Sequence, residues 1–368
     1  MEAREIAALD AGHFCKTGSN MKRYDCEHCR LEVFFDSMVC ERCHWNLIFD
    51  PGAERFRSTS PESDLNASAC ANRQTIQCNW ARGDEPGGLC RSCVLTTKVP
   101  DLAIDGHRVL WGRLEAAKRC VVNALDKLDL RHPPKGRAPR KGLEFHFLAD
   151  DPNASGPGAH VLTGHDRGTI VINIAEADDA TREQRRNELK EPYRTLVGHI
   201  RHELGHYYWD RLIGETAALP AYRELFGDER LDYNTALKTY YDGGPAPDWR
   251  DRFVSAYSSC HPWEDFAETW AHYLHAMEGL ETANAFELTR IPADMRALAN
   301  DSFPYLTSVP FERMFTIWTD VTIAVNAMNR SMGQPDLYPF VLSGNAIEKV
   351  AFVHELILAN ASETRAAA

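Results

Sequence analysis

Residues 202–206 read His-Glu-Leu-Gly-His. In a helix of 3.6 residues per turn, His202 and His206 stack on one face, and Glu203 lies about 100° round from His202. Two imidazoles at this spacing offer nitrogen ligands to a zinc ion. The carboxylate beside them can take a proton from a water filling the fourth position. A polar helix with two ordinary histidines would show the same five residues, so the pattern needs a third ligand and elements that hold the helix against it.

The sequence restricts the third ligand. A histidine six residues after His206 would complete one common zinc set, but position 212 is leucine. The next histidine, His261, precedes Pro262, a residue suited to a first helical turn. On the helix beginning there, Glu264, Glu268, His272 and His275 fall at i, i+4, i+8 and i+11, so one face carries four potential ligands or orienters. Acids in a first turn also suit the helix macrodipole, which gives Glu264 and Asp265 an ordinary explanation. The neighbours Trp263, Phe266, Ala267, Trp270 and Ala271 nevertheless describe a helix packed on several sides, where a charged face needs partners. Tyr257, Tyr273 and His272 each carry the chemistry to donate to a developing oxyanion, and nothing in the sequence selects one of them. Asp210, one turn beyond His206, is a weaker candidate for an outer partner of the metal site; a surface acid is the simpler reading. Tyr207 and Tyr208 read as packing residues.

The eleven cysteines point to metal through their spacing. Cys26/Cys29 and Cys40/Cys43 are two C-x2-C pairs ten residues apart, each able to present two thiolates from one turn. Tyr24, Phe34, Phe35, Trp45 and Phe49 surround them as the small apolar supplement of a metal-nucleated ribbon. Cys70, Cys78, Cys90 and Cys93 make a second set, less regular because only the last two form a C-x2-C pair. Four thiolates close a zinc coordination shell, so both sites are expected to be structural rather than catalytic. Cys15, close to His13, could replace a ligand; Cys120 falls in an amphipathic helix pattern as a small core residue; Cys260 is left over.

These residues need elements to position them. The boundary lies near 99–105, giving a cysteine-rich domain over 1–100 and a second domain over 101–368. Apolar spacing predicts a helix over 107–128, strands over 143–148 and 169–174 with turn residues 164–168 between, and a motif helix from about Glu191 or Pro192 to Ile213. Such strands could supply a sheet edge on which an extended peptide lies. Further helices are expected over 217–226, 234–241, 249–257, 262–278, 311–328 and 345–358. The basic, proline-rich stretch 131–142 reads as a solvated linker. The expected class is α+β: zinc-ribbon modules, then a mainly helical zincin-like domain with a small sheet. The charged first ten residues do not read as a signal peptide, and no apolar run is long enough to span a membrane, so a cytoplasmic protein is expected.

The order of these features, a cysteine-rich region, then His202-Glu-Leu-Gly-His206, then Glu264-Asp-Phe-Ala-Glu268, resembles the bacterial family of zinc-binding metallopeptidases that carry a zinc ribbon, over nearly the full chain. The second helix is similar to the third-ligand helix of the gluzincins. By that resemblance Glu264 is the zinc ligand and Glu268 the acid that steadies a ligand histidine. The resemblance implies a protease and supplies no substrate. With the motif and the cysteine spacing, the expected function is peptide hydrolysis with one catalytic and two structural Zn2+, Glu203 as general base and a peptide or protein as substrate. A zinc-ribbon adaptor that binds a protein partner without turnover is the alternative in another class. A protease recruited to nucleic acid is a third, and the charge disfavours it: the chain carries −12 overall, and residues 1–105 hold 12 Lys and Arg against 16 Asp and Glu.

Overall fold

A computed structural model describes residues 23–84, 86–138, 141–151, 160–188, 194–288 and 309–366. Cys15 and His13 lie outside the described residues, as does the expected helix start at Glu191 or Pro192.

The N-terminal part builds two cysteine clusters on very little regular structure. Strands β1 (Tyr24–Asp25) and β2 (Glu32–Val33) pair antiparallel around the Cys26–Cys29 turn, and β3 (Asn46–Asp50) pairs with β4 (Arg55–Thr59) just after Cys40 and Cys43. Arg30 and His44, each directly after the second cysteine of its pair, both take positive φ, so the two turns are built alike. The short helix α1 (Arg73–Ile76) lies inside the second cluster. Phe49 and Trp80, both fully buried, bridge the clusters with rings 5.9 Å apart.

More than chain continuity joins the second cluster to the downstream part. Strand β5 (Thr96–Lys98), three residues after Cys93, enters the downstream sheet, in which it is followed by β6 (Glu144–Leu148), then β8 (Thr169–Asn173) and, at the far edge, β7 (Gly164–Asp166). A division at residue 100 therefore falls after a strand that belongs to that sheet. Strands β6 (Glu144–Leu148) and β8 (Thr169–Asn173) run parallel, and their alternation buries Phe145, Phe147, Ile170 and Ile172 on one face. Residues 164–166, expected to be turn, instead form β7 (Gly164–Asp166), paired antiparallel to β8. The turn itself is only Arg167-Gly168, both at positive φ as a tight two-residue hairpin requires. Helix α2 (His107–Lys127) ties the second cluster to the rest of the core: Glu115, fully buried, accepts from Trp111 Nε1 and Thr96 Oγ1, pairs with Lys118 and lies 3.9 Å from Cys93 Sγ.

Helix α3 (Asp179–Glu188) was not expected, since its run of polar residues has no apolar stripe and none of them is buried. The motif helix α4 (Leu196–Leu212) starts later than the proline suggested. Thr195 is still extended, and its hydroxyl accepts from Gly198 N. Helices α5 (Leu219–Phe226) and α6 (Tyr233–Gly243) come next. The helix expected over 249–257 is only one turn, α7 (Trp249–Arg252), because Phe253 turns extended and Tyr257 enters a 3-10 turn at Tyr257–Ser259. Helix α8 (Pro262–Ala285) starts at the expected proline, capped by His261 Nδ1, which accepts from Trp263 N. Helices α9 (Phe311–Ser331) and α10 (Gly344–Ala366) pack on α8. The architecture is α+β, mainly helical after the cysteine-rich region, and no helix among the described residues is long and apolar enough to cross a membrane.

Helices α4 and α8 form the most extensive helix pair and run antiparallel, with Arg201 bonded to Glu278, His202 to Glu268, and His206 facing Glu264. At the crossing sits Gly205. A Cβ there would lie 2.7 Å from Ala267 Cα and 3.1 Å from Ala267 O, against backbone that cannot swing away. Gly205→Ala is expected to cost about 1–3 kcal/mol by overpacking, read from denaturant unfolding. The same variant should bind less zinc, because the strain is relieved by moving α4 away from α8.

Candidate metal centre

His202 and His206 are presented by one face of α4, and Glu264 by the first turn of α8. His202 Nε2 is 3.0 Å from Glu264 Oε2, and His206 Nε2 is 3.5 Å from Glu264 Oε1. All three residues offer a ligand atom within 4.8 Å of the others. A tetrahedral zinc shell with bonds of about 2.0–2.1 Å has edges of about 3.3–3.4 Å, so the two observed separations bracket what such a shell needs. Glu264 Oε2 is buried and accepts no hydrogen bond among the described residues. These donors fit zinc.

The surroundings set the charge of these groups. Burial opposes ionisation of Glu264, but His206 and His202 outweigh it and hold the carboxyl well below its usual range. For His202, burial disfavours the cation, and Glu264 and Glu268 together more than offset it, so its pKa is raised. Glu268, one turn along α8, accepts from His202 Nδ1 at 2.8 Å through Oε1 and from Ser255 Oγ at 2.7 Å through Oε2. That hydrogen bond holds a proton on Nδ1, so Nε2, which faces Glu264, is the nitrogen that can release its proton to a metal.

Glu203 is buried beside these three residues. Its Oε1 lies 3.5 Å from His199 Nε2, one turn earlier on α4, while its Oε2 has no hydrogen-bond partner among the described residues. Burial opposes its charge, and the hydrogen bond from His199 with the nearby His202 overcomes this and lowers its pKa. Behind His199 stands Glu176, 3.9 Å from its Nδ1, itself held by Arg185 and by Arg194, whose Nη2 lies 3.1 Å from both oxygens. His199 and Glu176 went unnoticed in the sequence. The pairing of His199 with Glu203 at i, i+4 was readable there; Glu176 arrives from the turn after β8 and carries no local signal.

The three oxyanion candidates separate. Tyr257 lies at the site, its ring 6.1 Å from that of His202. The Tyr273 hydroxyl is instead 3.2 Å from His354 Nδ1 of α10, because position 273 looks out from a different side of α8. His272 Nδ1 is 2.6 Å from the Tyr338 hydroxyl and its ring packs against Phe340, in the core behind Glu268. Asp210 lies 4.0 Å from His165 Nε2 and makes no hydrogen bond to His206, whose Nδ1 is buried without a partner among the described residues. Two further residues enter from outside the motifs. His165 on β7 stacks 6.2 Å from the His206 ring, and the Tyr233 hydroxyl donates to Glu264 Oε1 at 2.7 Å.

The cysteine clusters are equally regular. Cys26, Cys29, Cys40 and Cys43 converge, as do Cys70, Cys78, Cys90 and Cys93, the second set entirely buried. Sulfur separations of 3.6 Å (Cys26–Cys43), 3.5 Å (Cys29–Cys40), and 3.8 Å from Cys78 to both Cys90 and Cys93 approach the edge of about 3.8 Å of a tetrahedral shell with Zn–S bonds near 2.3 Å. They are far longer than a disulfide bond of about 2.05 Å. Cys120 and Cys260 belong to neither cluster.

Glu268→Ala frees the His202 ring, and zinc affinity of the His202–His206–Glu264 site is expected to fall about 10- to 100-fold, measured by competition with a chromogenic chelator.

Comparison with known proteins agrees with this arrangement. Residues 107–356 match the sequence model of a family described as "Putative zinc-binding metallo-peptidase", and residues 23–104 match a zinc-ribbon domain. Uncharacterized proteins of Mycobacterium tuberculosis and Mycobacterium bovis are each 40% identical over 339 residues, covering 92% of this chain and 95% of theirs. No solved structure matches the chain. With the family match spanning well over half of the chain and both cysteine clusters formed ahead of it, the protein belongs to this zinc-binding metallopeptidase family and carries an N-terminal zinc ribbon.

Proposed function

We propose that the chain hydrolyses peptide bonds at the α4–α8 site. The observation that carries this reading is the buried, unpartnered Glu203 Oε2 next to three convergent ligand atoms. A proton acceptor and a Lewis-acid site stand together there, as hydrolysis by water requires. His202, His206 and Glu264 would hold zinc, which when bound supplies polarisation of the scissile carbonyl and a lowered pKa for water. Two more zinc ions, one in each cysteine cluster, would be structural, since four thiolates leave no open position.

The protein side chains supply the rest. Glu203 is anchored through Oε1 by His199, which leaves Oε2 to take a proton from the attacking water and return it to the leaving amine. Glu176 and its two arginines keep His199 turned toward Glu203. Glu268 fixes the His202 tautomer, with Ser255 holding the second carboxylate oxygen in turn. Tyr257 is the donor best placed beside the site for charge developing on the carbonyl oxygen. Among the described residues β7 pairs only with β8, so its outer edge offers unpaired backbone groups beside His206. An extended peptide can add there as a further strand, with main-chain bonds that do not read sequence.

Glu203→Gln keeps the size and position of the side chain and removes its basicity. Hydrolysis of an unstructured protein substrate such as casein is expected to drop at least about 10²-fold, with the zinc content unchanged. Hydrolysis that survives this substitution would remove Glu203 as the base, and a zinc-loaded unsubstituted chain that hydrolyses nothing would point to a binding protein instead.

A further inference from the structure

We propose that Tyr233, brought to the site by α6, dictates which oxygen of Glu264 engages the metal, and that α6 is a cover held over the site by this contact. The inference rests on His202, His206 and Glu264 forming a metal site.

Both oxygens of Glu264 face imidazoles, Oε1 at 3.5 Å from His206 Nε2 and Oε2 at 3.0 Å from His202 Nε2. The two carboxylate oxygens alone would therefore permit one-oxygen or two-oxygen ligation. Tyr233 breaks the symmetry. Its hydroxyl donates to Oε1 at 2.7 Å, while Oε2 accepts no hydrogen bond among the described residues. A donor on one oxygen takes up a lone pair and draws off negative charge, so the other becomes the better ligand. One-oxygen ligation also keeps a coordination position open, which a catalytic zinc needs.

Helix α6 does not owe its place to a buried face: none of its eleven residues is buried. Its ties run to the site instead. The Tyr233 ring meets His261 and Trp263 edge-on at 5.3 and 6.0 Å, and the Tyr240 ring meets Tyr257 edge-on at 5.7 Å. At its flanks, His261 Nε2 contacts Leu231 O at 3.1 Å, and Ala246 N donates to Ser259 Oγ at 3.1 Å. The segment is bounded by Gly227 and Gly244, with φ of 102° and 82°, where glycine adopts backbone geometries closed to most residues. A helix without buried residues between two such glycines opens at low cost. Opening removes the Tyr233 hydroxyl and frees Oε1, so access to the site and the ligation of Glu264 change together.

The test uses the full chain with its cysteine sites loaded. Tyr233→Phe retains the ring and deletes only the hydroxyl. Zinc affinity of the His/Glu site, measured by chelator competition, should weaken about 10- to 100-fold, and tryptic cleavage after Lys238 should accelerate. Tyr241→Phe, at a position 60% exposed on the same helix, should change neither. A purely structural role for Tyr233 would alter thermal stability and leave zinc affinity at the wild-type value, which would overturn the assignment; unchanged cleavage would overturn the cover. Glu264→Ala separates the two levels. If it loses the third ion while Tyr233→Phe keeps wild-type affinity, only the role of Tyr233 falls; if it retains all its zinc, the metal site on which the inference rests falls as well.

Discussion

The close approach of α4 and α8, where Gly205 meets Ala267, is the constraint on which the candidate site depends. With no Cβ at position 205, the helix backbones come near enough for imidazoles on one and carboxylates on the other to lie about 3 Å apart. The glycine between Glu203 and His206 therefore shapes the candidate metal site although it offers no ligand atom. An antiparallel crossing then sets the order of contacts: His206 with Glu264, His202 with Glu264 and Glu268, and Arg201 with Glu278. Other elements of the downstream part act by fixing this pair. Helices α9 and α10 back α8, α2 packs on α4, and β7 lies alongside α4.

Around the crossing, most polar groups are held by something further out. Glu268 holds His202, Ser255 holds Glu268, His199 holds Glu203 and Glu176 stands behind His199. Buried ionisable groups are costly unless paired in this way, and the pairing also fixes tautomers and carboxylate orientation. Among the atoms left over are Glu203 Oε2, Glu264 Oε2 and His206 Nδ1, buried and without hydrogen-bond partners among the described residues. The first two carry the free lone pairs that the proposed base and the proposed ligand call for.

How much the sequence revealed depends on how local each signal is. Both histidines of the motif, Glu203 and the eight clustered cysteines are legible because their geometry is set by spacing within one helix or one turn. The pairing of α4 with Glu264 spans 58 residues, and the residue pattern alone left Glu268, His272 and His275 as equal candidates. Resemblance to a family singled out Glu264, and the structure brings that residue to the histidines. Tyr233 and Glu176 gave no signal, since a tyrosine on a polar helix and a glutamate after a strand have no pattern that anticipates a contact with a distant site. Tyr273 and His272 looked equivalent to Tyr257 by side-chain chemistry, and only packing against α10 and Tyr338 distinguishes them. Helix α4 began later than expected because a capping threonine outweighed a proline three residues upstream. The hairpin at 164–173 was hidden because a positive-φ arginine occupies a turn position where glycine or asparagine is the usual cue.

The proposed hydrolysis depends on α4 and α8 together holding one metal ion. Anomalous diffraction from crystals of the zinc-loaded chain, collected on either side of the zinc absorption edge, tests this most directly. Three peaks are expected: one within each cysteine cluster and a third within about 2.0–2.2 Å of His202 Nε2, His206 Nε2 and an oxygen of Glu264. Two cysteine-bound peaks with no anomalous signal between α4 and α8, in crystals grown with excess zinc, would contradict it.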